Sequence, residues 1–279
     1  MFYMANKLGA WQIDGDEDQG RVSFKIFFPA GFDPEVAAIR VAGSFQPQIS
    51  GLAAWDFAHG LPLTKDDSRP EGTFWTYTTP IPLTTDFYEY KYLVRFQDGT
   101  ERIVSDPCTR YGGTENQNAA FVVGGSRPED NIVHDLAGGR RHLRDLLIYE
   151  MNLDDFTAEI RGERAPLDAA RDKLSYLSDL GFNAILCMPW TAWQNRDFDW
   201  GYAPFQYFAV EYRYANTFRQ RAEKISWLKR LISACHDLGL HVIMDGVYNH
   251  VSMDFPYKFL YRQPENCPFA GTFGKTFPG

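Results

Sequence analysis

His241-Val242-Ile243-Met244-Asp245-Gly246-Val247-Tyr248-Asn249-His250 is the stretch on which the fold turns. Val242-Ile243-Met244 is a short apolar run with the length of a buried strand, and it breaks into a polar segment carrying an acid and a histidine. Upstream, Ile225, Leu228, Leu231, Ile232 and Cys235 recur at three- and four-residue steps, so they share one face of a helix that closes at Gly239. Before that helix lies another apolar run, Ala184-Ile185-Leu186-Cys187-Met188, ended by Pro189. A further helical period opens at Pro166, carries Leu167, Ala170, Leu174 and Leu177, and stops at Gly181. The first run of this half, Leu146-Leu147-Ile148-Tyr149, is continuous, as in strands buried on both faces. Strand, helix, strand, helix, strand implies a parallel sheet with right-handed crossovers.

A doubly wound sheet and a barrel both satisfy that order, and the loops discriminate between them. The connections after the second strand (Pro189 to Arg221) and after the third (Asp245 onward) are long, and long structureless connections usually serve function. Both leave the C-terminal ends of strands, the end at which barrels build their sites. No glycine-rich phosphate loop follows the first strand, which counts against nucleotide binding.

The first half has a different period. Val22, Phe24, Ile26 and Phe28 alternate with Arg21, Ser23, Lys25 and Phe27, and Tyr88, Tyr90, Tyr92, Val94 and Phe96 repeat the two-residue rhythm before an Asp98-Gly99 turn and Thr100 to Val104. Ala38 to Ala42 and Thr73 to Thr79 add further short runs, and no long helical period precedes about residue 140. This half reads as an antiparallel β-sandwich. The expected organisation is an N-terminal segment (1–19), the sandwich module (20–125), a linker (126–145) and the β/α region (146–279).

The composition, 44% hydrophobic and 16% aromatic, belongs to a globular chain, and the net charge of −8 argues against nucleic acid or an anionic membrane as a partner. The four cysteines, Cys108, Cys187, Cys235 and Cys267, are scattered without a C-x-x-C pair, so they read as reduced thiols. No basic start with an apolar signal-like run is visible, and a cytoplasmic location is the expectation. Aromatic-rich, acidic and neutral-ligand chemistry suits a sugar polymer, whose apolar C–H faces pack on rings.

Motifs narrow this further. Asp245-Gly246-Val247-Tyr248-Asn249-His250 follows a strand, and it keeps company with Ile148-Tyr149-Glu150-Met151, Asp155-Phe156-Thr157, Leu180 to Ile185, Met188-Pro189, Trp200-Gly201-Tyr202 and Tyr207-Phe208. In that order they resemble the α-amylase family of glycoside hydrolases over about residues 146 to 251. Val41 to Phe45, Trp75, Tyr88 to Tyr92 and Asp106-Pro107 resemble the immunoglobulin-like module that precedes the barrel in its branching and debranching members. The resemblance implies a multidomain chain: an immunoglobulin-like sandwich, then the first three strands and two helices of a (β/α)8 TIM barrel.

It also implies roles. His250 would hydrogen-bond hydroxyls of the sugar at the cleavage site, Tyr202 would stack on that ring with Trp200 beside it, Asp245 would brace the floor by accepting bonds from an arginine, and Asn249 would support the loop. Calcium is bound through the asparagine in some members, but a six- to eight-oxygen shell cannot be assembled here, so no metal or cofactor is expected. Trp55, Trp75 and Tyr77 are candidate sugar platforms on the sandwich, competing with a core role. Asp154, Asp155, Asp197, Asp199 and Asp254 read as solvated acids, while His236 and His241 lie toward the opposite end of the sheet. Ala203 departs from the acid that many relatives carry after the Gly-Tyr pair.

A glycosidic bond breaks between two carboxylates. The family's nucleophile, acid/base and second aspartate follow the fourth, fifth and seventh strands, so none is expected within residues 1–279. The expected function is that of a retaining α-glucan hydrolase or transglycosylase acting on starch or glycogen, inactive as this chain alone. The rival is a noncatalytic α-glucan-binding or scaffold protein. Open parallel strands also predict self-association or pairing with a complementary C-terminal half.

Overall fold

The structure is a computed structural model that describes residues 8–112, 117–125, 132–194, 200–215, 217 and 219–269. Its N-terminal half contains β1 (Gly9–Gln12), β2 (Val22–Pro29), β3 (Val36–Gly43), β4 (Thr64–Arg69), β5 (Gly72–Thr78), β6 (Asp86–Phe96), β7 (Glu101–Val104) and β8 (Ala119–Val123). One sheet runs β1-β2-β5-β4; the other runs β7-β6-β3, with β8 also on β6, and every pairing is antiparallel. Val22, Phe24, Ile26 and Phe28 point inward from β2 and meet Tyr88, Tyr90, Tyr92, Val94 and Phe96 of β6 in one core. Phe24 sits edge-on to Tyr90 at 5.1 Å and to Phe121 at 5.4 Å, the arrangement that ring quadrupoles favour. At the β6–β7 turn Gly99 takes φ 84°, and Asp98 accepts bonds from the Thr100 amide and hydroxyl, which with Arg262 hold its carboxyl down at about 2.

Periodicity misses β4, whose Thr-Lys-Asp-Asp-Ser-Arg sequence is almost wholly exposed because it is an edge strand, where charge is tolerated. Trp75 is buried in the core, so its ring is not free to act as a sugar platform, and Tyr77 packs half-buried against that core.

The second half supplies β9 (Ile148–Met151), β10 (Ala184–Cys187), β11 (Thr191–Trp193), β12 (Pro204–Val210) and β13 (His241–Met244). Strands β9, β10 and β13 pair in parallel in that order. The helical segment after β9 is divided, with a 3-10 turn (Ala170–Lys173) between Pro166–Ala169 and Leu174–Asp179, where Lys173 turns its ammonium to the Phe156 carbonyl. The helix Lys224–Asp237 precedes β13. Leu167, Leu174, Leu177, Ile225, Leu228, Leu231 and Cys235 pack on Ile185 and Cys187, which fills one side of the sheet. No helix among the described residues is long and apolar enough to cross a membrane.

Two sequence expectations need correction. The connection from Pro189 to Arg221 is not structureless, because β11 and β12 pair antiparallel within it. Leu146 to Tyr149 is not a strand buried on both faces: β9 begins at Ile148, and Leu147 and Ile148 are 53% and 44% exposed. The cause is coverage. Tyr149 and Met151 face the helices, whereas Ile148 and Glu150 point to the other face, on which the register sets Leu186 and Ile243 beside Glu150.

The N-terminal half and the β/α half meet at a set of buried polar groups. Tyr90 and Tyr92 each donate to Asp106 Oδ2 at 2.8 Å, and Gln206 of β12 donates to Ser105 Oγ at 2.7 Å. Lys224, fully buried, donates to the Val210 carbonyl at 2.7 Å and the Gly112 carbonyl at 3.1 Å. Beside it Glu211, also fully buried, accepts from the Trp193 amide and from Arg213. Burial outweighs the attraction of Arg213 and Lys224 and raises the Glu211 carboxyl to about 7, while burial draws Lys224 down to about 7.

The signs fix a pH dependence. A carboxyl raised from 4.5 contributes most below that value and loses its contribution as pH rises toward 7; an amine lowered from 10.5 contributes most above 10.5 and loses it as pH falls toward 7. The pair is therefore least favourable near neutrality. Lys224→Met alone should cost about 3–5 kcal/mol, because the Val210 and Gly112 carbonyls lose this donor and the dry Glu211 keeps Arg213 but loses the Lys224 charge, whereas adding Glu211→Gln should recover the charge part of the loss, with its best showing against the parent near pH 7. Urea unfolding of the three chains across pH checks this, and a double variant as unstable as the single one would refute it.

Candidate functional site

The register aligns Met151, Cys187 and Met244 at the C-terminal ends of the three parallel strands. Asp245 is the next residue, and its amide still donates to the Cys187 carbonyl at 2.9 Å, so its side chain is fixed by the ladder rather than by a loose loop. Gly201 approaches from the β11–β12 hairpin with φ 96°, and a Cβ there would fall 2.7 Å from the Pro189 ring. Only glycine lets the backbone rest on the proline that ends β10. That approach delivers Tyr202.

The Tyr202 hydroxyl donates to Asp245 Oδ2 at 2.5 Å. The hydrogen bond to the carboxylate, with burial and the Asp245 and Glu150 charges, pushes the phenol up to about 12. His250 Nε2 donates to the Tyr202 carbonyl at 2.5 Å, and Nδ1 lies 2.9 Å from Asn249 Oδ1. A neutral ring protonated at Nε2 satisfies the second contact when the Asn249 amide presents its N–H, and an imidazolium satisfies both as donor. Either way both ring nitrogens are engaged within the protein. Tyr207 of β12 donates from its hydroxyl to the Val247 carbonyl at 2.9 Å and reaches the His250 carbonyl at 3.2 Å.

The sequence-predicted residues Asp245, Tyr202, His250 and Asn249 thus form one contiguous group. Trp200 precedes them, 58% exposed, and Tyr248 and Met253 add exposed apolar surface at 78% and 76%. Asp154 and Asp155 lie in the first turn of Leu153–Thr157, capped by Asn152, and Asp154 pairs with Arg161. Asp254 accepts from Gln194, and Asp197 and Asp199 lie outside the described residues. His241 and His236 stand at the far end of the sheet, bonded to backbone groups. Among the described residues no group of three or more His, Cys, Asp or Glu is placed to hold a metal ion. The role of Tyr207 and the Glu211–Arg213–Lys224 cluster escaped sequence reading; the signal for the former was its place in a short strand, Pro204 to Val210, hidden inside an apparent loop.

Comparison with known proteins now bears on this geometry. A family model described as alpha amylase, catalytic domain, matches residues 95–266. The chain belongs to the α-amylase family. Malto-oligosyltrehalose trehalohydrolase from Rhizobium sp. (strain M-11) is 34% identical over 185 residues, 65% of this chain and 27% of that protein. The catalytic module of the pneumococcal glycogen-degrading virulence factor SpuA superposes with a TM-score of 0.70 at 21% identity, covering 95% of this chain and 41% of that one. GBS pullulanase SAP, solved in complex with maltotetraose, gives 0.68 at 22% identity, covering 91% and 35%. At these identities the structural matches establish a shared fold. This α-amylase-family chain spans 26–32% of the length of three such curated relatives.

The bond to Asp245 should govern the Tyr202 phenol. Asp245→Asn is expected to lower its ionisation from about 12 toward the ordinary value of about 10, read by tyrosine-selective NMR with Tyr202→Phe as the assignment control. An unchanged titration would mean that burial, not the carboxylate, sets it.

Proposed function

We propose that this chain forms the glucan-holding front of an α-glucan-active catalytic module, with the carboxylates that break the bond supplied by polypeptide outside residues 1–279. The observation that carries this reading is the single group made by Asp245, Tyr202, Asn249 and His250 at the C-terminal ends of parallel strands in a chain of this family. His250 and Asn249 hold the hydroxyls of a bound sugar, Tyr202 and Trp200 offer ring faces to its C–H surface, and Asp245 braces Tyr202. The half-exposed Ile148, Leu186 and Ile243 support completion of the sheet by further strands, because a parallel sheet is ordinarily covered on both faces. On this reading β9, β10 and β13 begin a barrel, and the antiparallel half is its immunoglobulin-like leading module.

A second reading, glucan binding by the sandwich, rests on a separate observation. Trp55, at φ 65°, lines an open cavity of ≈ 390 Å³ with Phe57, Ile103, Lys91, Glu89 and Asn118. A bulky residue held in the left-handed region is unusual, and strain of this kind accumulates at binding sites.

Calorimetric titration with maltotetraose separates the readings. His250→Ala should weaken binding about five- to tenfold, the range expected for a lost hydrogen bond in a polar site, while Trp55→Ala leaves it unchanged. The reverse pattern would favour the sandwich. The purified chain should release no reducing ends from soluble starch, glycogen or pullulan; release abolished by His250→Ala would overturn the proposal that its carboxylates lie elsewhere.

A further inference from the structure

The β11–β12 hairpin does more than bring Tyr202 to Asp245. It is fastened along its length to the loop that carries His250. The Ser252 amide donates to the Pro204 carbonyl at 2.9 Å, Gln194 donates to Asp254, and His250 Nε2 donates to the Tyr202 carbonyl. The fastening at the centre is Tyr207. Its hydroxyl is shared between the carbonyls of Val247 and His250, bracketing Tyr248 and Asn249. Its ring is clamped, stacked on Tyr248 at 6.0 Å and 14° and edge-on to Phe255 at 6.0 Å.

We propose that Tyr207 is a positioning residue for His250: it touches no substrate, and its hydroxyl fixes the backbone on which the imidazole is mounted. A loop of this kind has few ways to satisfy its carbonyls. In β12 the residues alternate sides, so Tyr207 turns toward the His250 loop while Phe208 is 59% exposed on the opposite side and Gln206 reaches the sandwich. The strand therefore works as a splint with one face on each part. Phe255, 4% exposed, limits the ring's freedom, so the phenol oxygen is delivered to one place. For the consequence in ligand binding, this inference rests on the proposed role of His250.

The test compares Tyr207→Phe, which removes the hydroxyl and keeps the ring, with Phe255→Leu, which alters the packing and keeps the hydroxyl, and with Tyr88→Phe, which removes a bonded hydroxyl in the sandwich. Long-range ¹H–¹⁵N spectra of the His250 imidazole read the effect directly. The His250 ring resonances should move and broaden in Tyr207→Phe, move less in Phe255→Leu, where the clamp is loosened but the hydroxyl remains, and stay with the parent in Tyr88→Phe. Maltotetraose affinity should fall about fivefold in Tyr207→Phe, the scale of one hydrogen bond. Unmoved His250 resonances in Tyr207→Phe, or equal movement in Phe255→Leu, would overturn the inference. Movement of the ring with maltotetraose binding unaffected there and in His250→Ala would uphold the positioning role and sink the glucan role of His250 instead.

Discussion

A buried ammonium holds the molecule's two halves in register. Lys224 begins the longest helix of the β/α half, yet its side chain runs back to the carbonyl of Val210 at the end of β12 and to that of Gly112 below the sandwich. Gly112, 112 residues before the lysine, and Val210, 14 before it, are thereby pinned to one cation. The cost of drying that charge is offset by two carbonyl dipoles and by Glu211, itself held by Arg213 and the Trp193 amide. A hydrophobic trio of the same volume would pack as well and would not specify which carbonyls meet. Directional bonds at a junction select one docking geometry, and in this molecule the site depends on that selection.

The dependence runs through β12. One end of the strand is tied to the junction by Val210 and Glu211, its middle touches the sandwich through Gln206, and Tyr207 faces the loop bearing His250. Asp245 is set by the parallel ladder and Tyr202 by the hairpin, so the bond between them joins two independently fixed elements. Any shift of the hairpin relative to β10 and β13 would break it. The close rest of Gly201 on Pro189 limits that shift from the other side. Geometry at the site is thus inherited from packing well away from it.

Much of this was legible before the structure. Alternation in β2 and β6 located the sandwich, because a half-buried strand must alternate, and the three- and four-residue steps of Ile225 to Cys235 located the long helix. The order of motifs singled out Asp245, Tyr202, Asn249 and His250, and the structure places them in hydrogen-bonded contact. What escaped was set by tertiary context. β4 is an exposed edge with no apolar face to reveal it, and β11 with β12 sits in a stretch whose prolines and aromatics mask their pairing. Lys224 and Glu211 look like ordinary helix and loop charges, since nothing in a linear sequence signals that both will be dry. The sequence motif presents Tyr202 as a stacking ring, and its anchoring bond to Asp245 exists only once the hairpin is folded against β13.

That bond changes how a ligand would have to engage the site. The polar ends of Tyr202 and His250 are already satisfied internally, so a sugar hydroxyl that takes one of their bonds exchanges an existing contact for a new one. Such an exchange is worth about 1 kcal/mol, the scale of one net hydrogen bond, and it discriminates between geometries as well as adding that affinity. On the proposed reading, the rest of the affinity comes from surface the protein leaves uncovered: the faces of Trp200 and Tyr248 and the thioether of Met253, against which the C–H face of a pyranose can pack. Orientation and attraction are carried by different residues. On that reading the buried side of the group would decide which hydroxyls fit, and that decision would be only as sharp as the hairpin and loop are rigid.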